Sequence, residues 1–126
     1  MGDSVLGTAL VPLHYPTGQG AQAAVEFAIN PAHFHDTFAA DLPAEQAAVM
    51  AVTRRPEASL AFSEPSGVPA SAVVATGDKA AGSDVIRAMA SRAGATITEV
   101  EGLHVIMLSQ PQVVTDVVLS AIAAVS

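Results

Sequence analysis

The sequence predicts an α/β fold whose regular part is a strand–helix–strand–helix unit with parallel strands. Residues 72–75 form a short apolar run, which is typical of a strand buried on both faces of a parallel sheet. Apolar residues then recur at helical spacing in 83–93, and a second strand pattern follows at 96–100. Parallel strands need a crossover connection, usually a helix, so this order favours two adjacent parallel strands.

The chain before about residue 70 is rich in turn formers and is predicted to be largely irregular. Residues 18–20 indicate a turn, and the weak alternation in 24–29 indicates a short strand or hairpin arm. Residues 31–38 are predicted to form a short helix, because a proline suits the first helical turn.

A stronger helix start follows at Asp41. This residue supplies a side-chain acceptor, Pro43 stands near the first helical position, and Glu45 places an acid in the first turn. The helix is predicted to run to about Arg54, because Pro56 disfavours its continuation.

Loop-forming and helix-capping residues indicate the element boundaries in the rest of the chain. Residues 64–69 contain two prolines and a glycine and are predicted to form a loop. Ser83 is predicted to cap the following helix and Gly94 to end it. Ser109 and Gln112 match a capping box that opens a last helix.

Composition and charge exclude several classes of function. With 126 residues, the chain suffices for one domain. Twelve acidic against five basic residues give a net charge of -7, which argues against nucleic acid and anionic membranes as partners. The chain has no cysteine, which rules out disulfides and thiol nucleophiles. With no secretory signal or membrane-spanning run, a cytoplasmic location is expected.

An acid and a histidine follow the two predicted parallel strands. Asp78 comes just after the strand at 72–75, and His104 just after the strand at 96–100. Loops at the carboxyl ends of parallel strands share one edge of the sheet, so the two side chains are expected to meet. An acid that orients a histidine makes up two thirds of a nucleophilic triad. The serine of such a triad, in a Gly-x-Ser-x-Gly elbow, does not occur in the sequence.

Four segments of the chain match the pattern of a known family. They are residues 34–47, the pair Arg55–Pro56, residues 73–79, and residues 102–111. From about residue 24 onward the sequence resembles the C-terminal part of an α/β-hydrolase. The closest similarity is to the group of plant methylesterases and hydroxynitrile lyases and their bacterial esterase-like relatives.

The resemblance implies a partial α/β-hydrolase fold, in which lid helices and a hairpin precede the strand–helix–strand–helix unit. Residues 1–70 would form the lid-like segment and residues 71–126 the C-terminal part of the hydrolase core, within one structural domain. Asp78 would be the triad acid and His104 the base. The parent activity would be hydrolysis of a small carboxylic ester, without a cofactor. Leu103 departs from the family, which usually has a small polar or acidic residue there.

Three functions remain open. The chain is expected to be an enzyme part that needs a serine-bearing half, a non-catalytic truncated remnant, or a module that self-associates as a homodimer through an open sheet edge.

Other ligand sites are only weakly indicated by the sequence. His33, His35 and Asp36, with His14, fall short of the convergent ligands that a metal site needs, so no metal is expected. The glycine-rich stretch 77–83 lacks the lysine–serine/threonine pair of a phosphate loop.

Overall fold

The structure, a computed structural model, describes residues 4–18, 20, 22–63 and 71–125. The helices are α1 (Leu6–Ala9), α2 (Pro31–Phe38), α3 (Ala44–Thr53), α4 (Ser83–Ala93), α5 (Ile106–Ser109) and α6 (Pro111–Val125). The strands are β1 (Leu10–Pro16), β2 (Ala23–Ile29), β3 (Glu57–Ala58), β4 (Ser71–Ala75) and β5 (Thr96–Val100), and a 3-10 turn (Ser59–Phe62) follows β3. The described residues up to 63 form the N-terminal part of the molecule, and residues 71–125 form the C-terminal part.

The N-terminal part contains a three-stranded antiparallel sheet in the order β1–β2–β3. Its longest pairing joins β1 to β2, in a register from Leu10 opposite Ile29 to Pro16 opposite Ala23. The predicted hairpin arm is therefore confirmed as β2, whereas the prediction of a largely irregular N-terminal part is wrong. Strand β1 was not predicted because it contains Pro12 and Pro16, which usually argue against a strand. The strand tolerates both prolines because it lies at the edge of the described sheet, where it pairs only with β2.

Two helices pack against each other after β2. The predicted α2 is confirmed, and its N-terminus is capped by Asn30, whose Oδ1 accepts from the backbone N–H of Ala32 at 3.0 Å. The predicted α3 is also confirmed, but it begins at Ala44 and has no side-chain cap. The Asp41 carboxylate accepts a hydrogen bond from Ser109 instead.

The C-terminal part contains the predicted parallel strand pair. β4 and β5 align from Ser71 opposite Thr96 onward, and α4 packs against both strands. Gly94 ends α4 in the left-handed conformation, at φ 71°. Ser83 does not cap this helix, because its hydroxyl donates to the carbonyl of Thr76 at 2.9 Å.

The predicted capping box before the last helix is wrong. The hydroxyl of Ser109 donates to Asp41, and the amide of Gln112 donates to Asp116 at 2.8 Å. The short helix α5 occupies the segment before Pro111, where α6 begins.

The main hydrophobic core lies in the N-terminal part. Its buried side chains are Ala9, Ile29, Phe34, Ala39, Leu42, Ala47, Ala51 and Val105. Val105 is the member that comes from the C-terminal part, so the loop before α5 is anchored in the other half of the molecule. The predicted loop at 64–69 lies outside the described residues. Within the described ranges, no helix combines the length and apolar character needed to cross a bilayer.

Candidate active site

Asp78 lies in the turn that follows β4 and is buried, with its side chain 8% exposed. The backbone N–H of Ala81 donates to its Oδ1 at 3.1 Å. Ser83 closes the same turn, because its backbone N–H donates to the Asp78 carbonyl at 3.1 Å. The carboxylate is therefore held rigidly by the loop that carries it.

His104 lies in the loop after β5 and contacts Asp78 directly. Its Nδ1 is 2.9 Å from Oδ2 of Asp78, and its side chain is 29% exposed. Because an ionised carboxylate only accepts hydrogen bonds, this contact makes Nδ1 the donor, and in the corresponding neutral tautomer Nε2 is an acceptor. Among the described residues Nε2 has no hydrogen-bond partner.

A close approach of two glycines brings the two loops together. The backbone N–H of Thr76 donates to the carbonyl of Val100, and that of Gly77 to the carbonyl of Gly102, both at 2.9 Å. These bonds extend the β4–β5 ladder beyond the last strand residues. A Cβ on Gly77 would lie 2.9 Å from the Gly102 oxygen, so a side chain at this point would push the loops apart.

Asp41 accepts hydrogen bonds from a residue on each side of the histidine in the chain. Its Oδ2 accepts the hydroxyl of Ser109 at 2.7 Å and, more weakly, the backbone N–H of Leu103 at 3.4 Å. Val105 is 3% exposed and lies in the core of the N-terminal part. His104 is thus flanked by one residue bonded to Asp41 and one residue packed in the core.

The role of Asp41 was missed from the sequence, because the local pattern assigned it to the start of α3. One signal for another role is that Pro43 occupies the cap position of α3. Asp41, three residues before the first residue of the helix, is therefore free to bond elsewhere.

The exposed side of His104 borders a small cavity. The His104 ring packs on Phe38, with ring centroids 4.6 Å apart. A cavity of about 50 Å³ is lined by side chains that include Thr37, Phe38, Lys79, Leu103 and His104. The nonpolar Leu103 therefore lines the cavity beside the histidine.

The other residues considered from the sequence do not converge on a site. His35 uses its Nε2 on the carbonyl of Leu42 at 3.0 Å. No group of three or more metal-ligating side chains occurs among the described residues. In the glycine-rich turn after β4, the N–H of Ala81 already donates to the chain's own Asp78, so this donor is not available to a phosphate.

The arrangement supplies an oriented base. Asp78 holds the ring in one tautomer, and Nε2 is available to accept a proton. In the described part of the chain, no hydroxyl donates to Nε2, so the pair has no nucleophile in hydrogen-bond contact.

No protein-family model matches this chain, and no curated protein matches it either. The strongest guide to the chemistry of the chain is therefore the geometry of Asp78 and His104.

Proposed function

We propose that this chain carries the acid and the base of a hydrolase-type triad, in a partial α/β-hydrolase fold, and that the parent reaction is hydrolysis of a small carboxylic ester. The observation that carries the proposal is the 2.9 Å contact between Asp78 Oδ2 and His104 Nδ1, at the carboxyl ends of two parallel strands. The resemblance of the flanking segments to α/β-hydrolases supports the choice of reaction.

In this reaction each side chain has one role. Nε2 of His104 accepts the proton of an attacking hydroxyl and later returns it to the leaving alcohol. Asp78 keeps Nδ1 protonated and stabilises the imidazolium that forms in between. The nucleophile and the oxyanion donors come from a serine-bearing half, because the sequence holds no Gly-x-Ser-x-Gly elbow.

The proposal is tested by assaying the chain itself for hydrolysis of para-nitrophenyl acetate, an activated ester that histidine bases cleave. His104→Ala should lower the rate above background at least about tenfold, since a positioned base contributes that much or more. Asp78→Asn should lower it similarly, because the ring loses the partner that fixes its tautomer. His33→Ala is the matched control, because His33 is exposed on α2.

Equal losses in the His104 and His33 variants would overturn the proposal, because they would show that the histidines act only as free imidazoles. Labelling with a fluorophosphonate probe, read by intact mass, checks the origin of the nucleophile. No adduct is expected from the chain alone. An adduct that disappears in His104→Ala would show that a serine of this chain is already recruited.

A second candidate function is self-association through the C-terminal part. Val118, Leu119 and Ile122 on α6 are 51%, 58% and 54% exposed. Val118 and Ile122 also line a groove of about 480 Å³ between β4 and α6, and the lining of this groove is almost wholly aliphatic. In the described residues β4 pairs only with β5, so this strand also has an open edge.

Self-association is tested by sedimentation across a range of concentrations. A dimer that grows with concentration and is lost in Val73→Lys, which charges the wall of the groove, would support it. A monomer at all concentrations would exclude it.

A further inference from the structure

The largest concentration of aromatic side chains surrounds a cavity in the N-terminal part, away from Asp78. The cavity has a volume of about 410 Å³, within the range of small-molecule sites. All four phenylalanines of the chain line it: Phe27, Phe34, Phe38 and Phe62. Two of them, Phe27 and Phe62, meet edge to face with centroids 5.9 Å apart. Phe62 is still 58% exposed, so part of the aromatic surface remains uncovered.

The side chain of Arg54 places a positive charge among the apolar side chains that line the cavity. The guanidinium of Arg54 lies 5.3 Å from the centroid of the Phe34 ring, and its Nη2 donates to the carbonyl of Ile29. Its Nε is buried with no hydrogen-bond partner, and Nη1 has none among the described residues. Burial lowers the pKa of this guanidinium from its ordinary value, because desolvation disfavours the charged form.

The charge around the cavity is opposite to that of the chain. Arg54 and Arg55 both line it, although the chain has only five basic residues against twelve acidic ones. In the described part of the chain, neither arginine forms an ion pair. Among the lining residues that the structure describes, Glu57 is the only acid. The site therefore carries a local excess of positive charge, in a protein that is otherwise strongly negative.

We propose that this cavity binds a small monocarboxylate with an apolar body, whose carboxylate pairs with Arg54 and whose body lies among the phenylalanine rings. A carboxylate matches the planar donors of a guanidinium, and the pairing gives the N–H groups of Nη1 an acceptor. An apolar body covers the exposed aromatic surface and gains from its removal from water. A neutral ligand would leave the charge unpaired, and a purely polar anion would leave the rings uncovered.

This site is distinct from the Asp78–His104 pair, and the inference does not rest on the proposed function. Phe38 lines both the large cavity and the small cavity beside His104, so its ring stands at the boundary between them. His104 itself does not line the large cavity, so His104→Ala should leave carboxylate binding intact. A negative result in the esterase assay would count against the proposed function, and a negative result in the binding experiment would count against the carboxylate site.

The test is isothermal titration of the purified chain with octanoate and phenylacetate, which distinguish an alkyl from an aromatic body. Octanol, phenylethanol and acetate are the matched probes. At least one of the two acids should bind about tenfold or more tightly than its alcohol, because hydrogen bonds to charged groups are the stronger ones. Acetate should not bind measurably, because it buries almost no apolar surface.

The position of the ligand is read from the phenylalanine ring resonances of the protein. Because all four phenylalanines line the cavity, their rings should shift, while Tyr15, the only other aromatic side chain apart from the histidines, should not. Arg54→Met should abolish the preference for acid over alcohol. Arg92→Met, which removes a cation from the end of α4, is the control for net charge.

Arg54 also bonds to the backbone of β2, so a second variant guards against a loss of fold. Phe62→Ala removes an exposed ring from the cavity wall and should weaken binding of the better acid several-fold, in a protein that remains folded. Equal affinity for acid and alcohol would overturn the proposal, and so would the absence of binding by both acids to the folded chain.

Discussion

Gly77 is the residue at which the two loops of the candidate active site come closest. Gly77→Ala places a Cβ 2.9 Å from a backbone oxygen that is fixed by its own hydrogen bond, so the loops must separate. We expect a loss of about 1–3 kcal/mol in unfolding free energy, as for other overpacked sites, together with a changed Asp78–His104 contact. Urea unfolding and the NMR signal of the His104 ring measure the two effects.

Gly7→Ala is the matched control for this substitution. Gly7 lies in α1 and has open space around it, so its replacement should be neutral or slightly stabilising. Equal destabilisation by the two variants would contradict the role assigned to Gly77.

Asp41 is the second residue whose replacement should act on the site. Asp41→Ala removes the acceptor of the Ser109 hydroxyl and the Leu103 N–H, and should cost about 1–2 kcal/mol in unfolding free energy. Asp36→Ala is the control, because its side chain is 85% exposed and should stay within about 0.5 kcal/mol of the parent. If the two variants unfold alike, Asp41 does not fix the histidine loop.

At the scale of elements, the end of α4 offers a direct test of a capping residue. Gly94 adopts φ 71°, and no neighbouring atom blocks a side chain there. Gly94→Ala should therefore lose about 1 kcal/mol through backbone strain alone. Circular dichroism during thermal unfolding should show a lower midpoint with the same helical content. An unchanged midpoint would mean that the left-handed cap does not contribute to stability.

The elements differ in how well the sequence predicts them. Strands β2, β4 and β5 and helices α2, α3 and α4 follow from local patterns, because alternation, helical spacing and glycine stops act over a few residues. Strand β1 could not be predicted locally, since its prolines are tolerated only at a sheet edge. The Ser109 capping box failed because a tertiary partner, Asp41, competes for the same hydroxyl.

The candidate site shows the same limit. The meeting of Asp78 and His104 follows from the parallel order of β4 and β5, which a sequence can indicate. The hydrogen bonds that Asp41 accepts from Leu103 and Ser109 span 62 and 68 residues of sequence, and no local pattern encodes contacts of that separation. The packing of Val105 in the N-terminal core could not be predicted either, because it also joins residues that are far apart in the sequence.

At the scale of the whole molecule, the amount of exposed apolar surface limits stability. Val49, Val52 and Leu60 in the N-terminal part are 60%, 75% and 64% exposed, in addition to the apolar face of α6. We expect the isolated chain to melt broadly and at low temperature. Sodium sulfate should raise the midpoint, because it favours burial of apolar surface. A sharp two-state transition of a monomer at high temperature would contradict this expectation.

The two parts of the molecule are joined next to His104, and this makes one amide proton informative. The N–H of Leu103 bonds to Asp41 of the N-terminal part, and Val105 is packed in that part's core. Any movement that lifts the N-terminal part away must expose the Leu103 amide and remove Phe38 from the imidazole in the same step. Deuterium exchange at this single amide therefore reports the separation of the two parts, and the loop that carries the base keeps both of its anchors only in the intervals between those events.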